Sequence, residues 1–177
     1  MIMKDRAIEV LLTRRSVRRY LDKQVDEEAL QTILEAGKYA ATGRGLQSPI
    51  IVVVQDAGVR EQLRRMNAEV MGTPDADPFY GAPTVVIVLA DASIYTCVED
   101  ASLVLGNMMN AAHAVGVDSC WIHRARQEFE SEQGKALLAS LGIDGNYIGV
   151  GHLILGYRDG ELPAPKPRKE NYVYYVK

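Results

Sequence analysis

The chain has 177 residues, 47% of them apolar and 24% charged, with a formal net charge of -3 and a pI of about 5.6. This length supports one domain (1–177) with a full core, and the mild acidity argues against a general binder of nucleic acid or of anionic membranes. No apolar stretch approaches the roughly 20 residues that span a bilayer, and Met1-Ile2-Met3-Lys4-Asp5 lacks the apolar core of a signal peptide, so a cytoplasmic location is expected.

A first helix is expected over residues 5–13, with Asp5 near its start and Ile8, Val10, Leu11 and Leu12 along it. Directly after it comes Arg14-Arg15-Ser16-Val17-Arg18-Arg19. Guanidinium groups beside a serine hydroxyl offer several charge-assisted donors to one small dianion. The other reading is a solvated basic helix end. A second basic cluster, Lys166-Pro167-Arg168-Lys169, lies near the far end of the chain, beside prolines that keep it extended. Two such clusters in an acidic chain are simplest to explain if they share one anion.

Asp26-Glu27-Glu28 opens a second helix, with Leu30, Ile33, Leu34 and Gly37 at three- and four-residue spacing. A turn-rich loop over 42–49 leads into 50–54, an unbroken β-branched run that predicts a strand buried on both faces. Residues 56–70 read as an amphipathic helix carrying Val59, Leu63 and Met66. An irregular connection over 72–83 precedes a second buried strand at 84–90.

Residues 94–115 are the longest helical candidate, about 33 Å if helical throughout. Apolar positions cover most of its circumference, which predicts burial on nearly every side. Packing against a second copy of the chain is the preferred reading, and a central helix inside a monomer is the alternative. A short strand is expected over 117–123, a helix over 128–141 ended by Gly142, and a strand over 147–157. Residues 158–177 form a proline-broken tail ending in Tyr172-Val173-Tyr174-Tyr175, aromatics that call for cover by a partner subunit.

The usual signatures of chemistry are missing. Gly43-Arg44-Gly45-Leu46-Gln47-Ser48 lacks the third glycine of a dinucleotide fingerprint and precedes a strand instead of following one. There is no Walker sequence and no Gly-x-Ser-x-Gly elbow. Cys97 and Cys120 have no CxxC partner, and His113, His123 and His152 lack zinc spacing, so reduced thiols and no metal are expected. Glu27-Glu28 and Glu99-Asp100 sit at helix starts, where dipole compensation explains them. Anion binding without an evident acid, base or nucleophile fits an enzyme whose chemistry belongs to a bound cofactor.

The chain resembles a compact member of the FMN-dependent nitroreductase family. The resemblance is carried by Arg14-Arg15-Ser16-Val17-Arg18, the 42–49 loop, Phe79-Tyr80-Gly81-Ala82-Pro83, the stretch from Ala114 through Asp118-Ser119-Cys120-Trp121-Ile122, Leu155-Gly156-Tyr157 and Lys166-Pro167-Arg168, in that order. It implies an α+β fold: a three-layer α/β/α sandwich around a mixed, mainly antiparallel sheet, in a homodimer with the tail packed on the partner. It also implies FMN as cofactor and NADH or NADPH as electron donor. Arg14, Ser16 and Arg18 match the flavin-binding stretch, with Arg15 beside them, and Lys166 and Arg168 match a basic pair closing on the phosphate. Arg18 falls where a cation supports the reduced pyrimidine edge. Gln47 matches a loop residue reaching the flavin across the dimer interface, Asn67 a position offering an amide near O4 and N5, and Trp121, Ile122 and His123 a segment passing the ring. Gly45 stands where the family commonly has Asn, so that amide is lost or replaced by backbone. The implied activity is hydride transfer through flavin N5 to a small flat acceptor, nitroaromatic or quinone. The alternatives are a dehalogenase or flavin-fragmenting enzyme, a non-catalytic flavin-binding dimer, or a structural dimer with solvated arginines.

Overall fold

Residues 85–90 make an unbroken apolar run, and in the computed structural model, which describes residues 6–177, that run becomes the centre of a sheet. The helices are α1 (Arg6–Thr13), α2 (Glu27–Lys38), α3 (Ala57–Met71), α4 (Cys97–Ala114), α5 (Ala125–Glu130) and α6 (Glu132–Ser140). Asp5, expected to begin the first of them, lies outside the described residues. The strands are β1 (Pro49–Val54), β2 (Thr84–Asp91), β3 (Asp118–Ile122) and β4 (Tyr147–Gly156), in the order β1-β2-β4-β3 with every neighbouring pair antiparallel. The parallel component among the described residues is an isolated bridge between Ser16 and Ser119, on the free side of β3.

Alternation along β2 divides the core. Val86 and Val88 face α2 and α4, where they meet Ile33, Leu105 and Met108. Val85, Ile87 and Leu89 face α3, α5 and α6, packing with Leu63, Phe129 and Leu137. The result is helix, sheet and helix in three layers, an α+β fold.

Three local expectations change. β1 is only half-buried except at Val54, because it is an edge strand. A β-branched run reports strand preference and not the number of neighbours. The expected 128–141 helix is two helices, broken at Ser131 with φ -74° and ψ 157°. Ser131 Oγ accepts from Gly134 N at 3.0 Å and donates to the Glu128 carbonyl at 2.6 Å, so one hydroxyl ends α5 and caps α6. Finally, α4 buries Ala101, Val104, Leu105, Met108 and Ala112 on one face, while Leu103 remains 50% exposed on the other. Ile8, Leu11 and Leu12 of α1 are exposed as well. Beyond Asp159 the tail has no helix or strand, and its terminal aromatics lie open.

Candidate functional site

The six-residue basic stretch separates into two kinds of arginine. Arg15 Nη1 donates to the carbonyls of Leu12 at 2.9 Å and Arg14 at 2.8 Å, satisfying oxygens that the end of α1 leaves without partners. Arg19 pairs with Asp159 at 2.8 Å. These two hold the chain's own structure, although Arg15 Nε is itself buried without a partner among the described residues. Arg14 and Arg18 form no ion pair or side-chain hydrogen bond among the described residues, and Arg14 Nη1 is buried without any partner. A desolvated cationic donor with nothing to bond is costly, and an anion is the group that completes it.

Backbone pairing positions this stretch. Val17 N donates to the Ser119 carbonyl at 3.0 Å, beside the Ser16–Ser119 bridge, so residues 15–17 run along the free edge of β3. Extended backbone alternates its side chains, and with Val17 buried, Ser16 faces away from the core. The chain then turns, and Leu21 N donates to the Tyr157 carbonyl at 2.8 Å. Tyr20 Oη pins the turn through the Val17 carbonyl at 2.8 Å. Burial pushes the Tyr20 phenol well above its ordinary value, with Cys120 and Asp118 adding to the effect, so it stays a fixed donor. Ser16 and Arg18 line a hollow of about 300 Å³ with Arg158, Asp159 and Gly160. Arg158 is held by buried Asp118 at 3.0 Å.

Trp121, Ile122 and His123 form the C-terminal end of β3 and the exit from it. The Trp121 indole lies against Gly151, where a Cβ would come within 2.7 Å of Nε1, so this glycine makes room for the ring. Ile122 is buried and His123 exposed.

Asn67, expected to offer its amide near the ring, is fully buried and bonded within the protein. Its Nδ2 donates to the His123 carbonyl at 2.9 Å and to Glu128 Oε1, and its Oδ1 accepts from Arg124 Nε at 2.9 Å. That accounts for both amide hydrogens and leaves none for a ring. The network continues to His152, whose Nε2 lies 3.0 Å from each Glu128 carboxylate oxygen. Glu128 and His152 were not singled out from sequence as site residues. A histidine inside an otherwise apolar strand is the one available signal, since a buried polar group needs partners. Asp100 is also more than a dipole-compensating charge. It is buried, accepts from Gly43 N at 2.8 Å, and anchors the 42–48 loop to α4.

That loop carries Gly45 and Gln47 at φ 69° and 52°, with Arg44 at 56°. Left-handed backbone explains the residue at 45, since glycine and asparagine are the two types that adopt it readily. Ser48 Oγ beside it is buried without a partner among the described residues. The loop feeds β1, at the opposite edge of the sheet from β3. Pro49 aligns with Ala90, whereas Ser119 aligns through Leu155 with Thr84. Pro49, where the Gln47 loop enters the sheet, therefore stands about 19 Å across the sheet and about 20 Å along it from Ser16, from strand spacing and rise. One chain brings Arg14, Ser16 and Arg18 to the β3 edge and does not bring Gly45 or Gln47 there. Lys166 and Arg168 are exposed on the tail and bond to nothing among the described residues. A second hollow, between Tyr20, Arg60 and Arg64, holds Asp22, Glu61 and Asp77 against its arginines, and no unpartnered buried group points into it.

A model described as the nitroreductase family matches residues 11–157. The chain belongs to the nitroreductase family. Within it, a protein of Archaeoglobus fulgidus named as an NADH dehydrogenase/NAD(P)H nitroreductase is 30% identical over 95% of this chain and 90% of its own length. A nitroreductase from Bacteroides fragilis, crystallised with bound FMN, superposes with a TM-score of 0.88 at 29% identity, covering 98% of this nitroreductase-family chain and all of its own. Iodotyrosine deiodinase, bound to FMN and 3-iodo-L-tyrosine, has a TM-score of 0.77 at 20% identity over 97% of this chain and 99% of its own, a likeness of fold alone. No helix among the described residues is long and apolar enough to cross a membrane.

Proposed function

We propose that the protein is an FMN-dependent NAD(P)H oxidoreductase that works as a homodimer and reduces a small flat acceptor, nitroaromatic or quinone, by a ping-pong route. The observation that carries this reading is the buried, unpartnered Nη1 of Arg14 beside Ser16 on the edge of β3. A cationic donor short of an anion, next to a hydroxyl, fits a phosphate monoester. The FMN carried by the Bacteroides fragilis relative has such a group. Bound FMN supplies two-electron chemistry at its N5, taking hydride from NADH or NADPH and giving it to the acceptor.

The chain's own residues then have distinct work. Arg14 and Ser16 hold the phosphate, and Lys166 and Arg168 close on it when the tail is docked. Arg18, at the turn after β3's neighbour, is the cation for the charge that reduction leaves on the pyrimidine edge. Backbone groups of 121–123 face the ring. Catalysis on this reading rests on orientation and electrostatics.

The same geometry supports the dimer. Gly45 and Gln47 stand at the corner of the sheet diagonal to Arg14, and a second copy presenting its loop to the first copy's β3 edge brings them to one site. The exposed apolar residues on α1, on α4 at Leu103, and on the tail at Tyr174 and Tyr175 supply a surface for that contact. The test is an absorption spectrum of the purified protein with mass identification of heat-released cofactor, then anaerobic NADH or NADPH addition. Bleaching reversed by a quinone is expected. A protein that neither carries nor takes up FMN refutes the reading.

A further inference from the structure

The buried polar group beneath the exit of β3 has no part in that reading. We propose that Asn67, Glu128 and His152 are positioning residues that fix the peptide joining His123 to Arg124, where the chain leaves β3 beside the flavin. The proposal rests on the flavin reading above.

The peptide is trans, so its carbonyl and N–H point in opposite directions. Asn67 Nδ2 takes the His123 carbonyl inward at 2.9 Å, which turns the Arg124 N–H outward. That N–H donates to no group of the described residues. Arg124 itself has φ 81°, a left-handed conformation that non-glycine residues avoid unless their surroundings impose it. The imposing contact comes from the same amide, since Arg124 Nε donates to Asn67 Oδ1 at 2.9 Å. One side chain from α3 therefore holds both the peptide's carbonyl and the side chain of the residue that follows it.

Asn67 is held in turn. Its second hydrogen goes to Glu128, and Glu128 is held by His152 of β4. Asn67, Glu128 and His152 are all buried, with Phe79 and Phe129 rings against the imidazole at 5.3 Å and 6.1 Å. Glycines bring α5 close enough for this: a Cβ at Gly149 would collide with the Ala125 carbonyl oxygen, and one at Gly134 with that of Glu128. A carboxylate, an imidazole and an amide in so apolar a place are costly unless partnered, and of their side-chain polar atoms only His152 Nδ1 lacks a partner among the described residues. Here the alignment ends on one backbone group at the candidate site.

Affinity for riboflavin, which lacks the phosphate, separates the two ends of the ligand. Wild type, Arg14→Ala and Asn67→Ser are titrated with FMN and with riboflavin, and the visible spectrum of bound flavin is recorded. A ring-end defect weakens both ligands by the same factor, whereas a phosphate-end defect weakens FMN alone. Asn67→Ser is expected to lose about ten-fold for each ligand, the effect of one ordinary hydrogen bond, and to shift the bound-flavin absorption. Glu128→Gln keeps size and one acceptor oxygen, and carries the test if Asn67→Ser does not fold; a parallel loss of smaller size is expected. A folded variant with both affinities and the spectrum unchanged shows the network to be structural only and overturns the proposal. Wild type that binds neither flavin overturns the flavin reading, and this proposal with it.

Discussion

Replacing Arg14 by methionine should push the apo and flavin-bound proteins in opposite directions. Methionine keeps most of the length and apolar stem and removes the charged head. In the apo protein Arg14 Nη1 is buried with no partner among the described residues, and an unsatisfied buried donor costs about 1–3 kcal/mol. Arg14 is half-buried overall, so the low end applies, and the apo variant should be more stable than wild type by about 1 kcal/mol. In the complex the same change removes a hydrogen bond to a charged group, worth about 2 kcal/mol, which is about a 30-fold loss of FMN affinity. At FMN one hundred times the wild-type Kd, ligand stabilisation of about 2.7 kcal/mol should fall to about 0.9 kcal/mol. Urea denaturation with and without FMN measures both quantities on one preparation. An apo variant that is less stable than wild type and binds FMN equally well refutes the assignment of Arg14 to the phosphate.

Arg18→Ala should lower the midpoint potential of bound FMN, with about 30 mV for each 1.4 kcal/mol of charge stabilisation lost, and saturating FMN should not restore it; redox titration decides. Gly134→Ala should destabilise the fold by about 1–3 kcal/mol, the usual cost of overpacking, because a Cβ there comes within 2.7 Å of Phe129 Cα; chemical denaturation measures it. Hydrogen bonds from Arg64 and then Arg65 hold the Glu61 carboxyl down at about 2, so carboxyl NMR should show it ionised far into acid. Its contribution to stability is complete above the ordinary 4.5 and is lost as pH falls toward about 2. Removing both arginines should return the titration to the ordinary range.

Legibility from sequence followed how local each determinant is. β2 and α4 are marked by long runs whose periodicity is fixed within the element, and their positions were readable to within a few residues. The edge position of β1 was not, because Pro49–Val54 has the composition of a central strand and strand order is set by distant segments. The break at Ser131 carried a legible signal in the serine three residues before Gly134. It was masked by good helix formers on both sides.

The site divides in the same way. Density of charge announced Arg14 to Arg19, but four guanidinium groups are chemically alike. Only the positions of Leu12, Asp159 and β3 separate the two that stabilise the fold from the two left for a ligand. Asn67 reads as a polar residue on an amphipathic helix, and its burial against Glu128 and His152 depends on chain 61 to 85 residues away. Gln47 and Gly45 pose the opposite problem, being legible by resemblance yet far from the arginines in the single chain. Their left-handed backbone and the unpartnered Ser48 hydroxyl beside them mark a loop held in shape before it meets anything. Buried Asp100 supplies that hold through Gly43. In the homodimer proposed above, a loop anchored in this way at one edge and an arginine short of an anion at the other would be the two halves of one site, which the single chain holds apart.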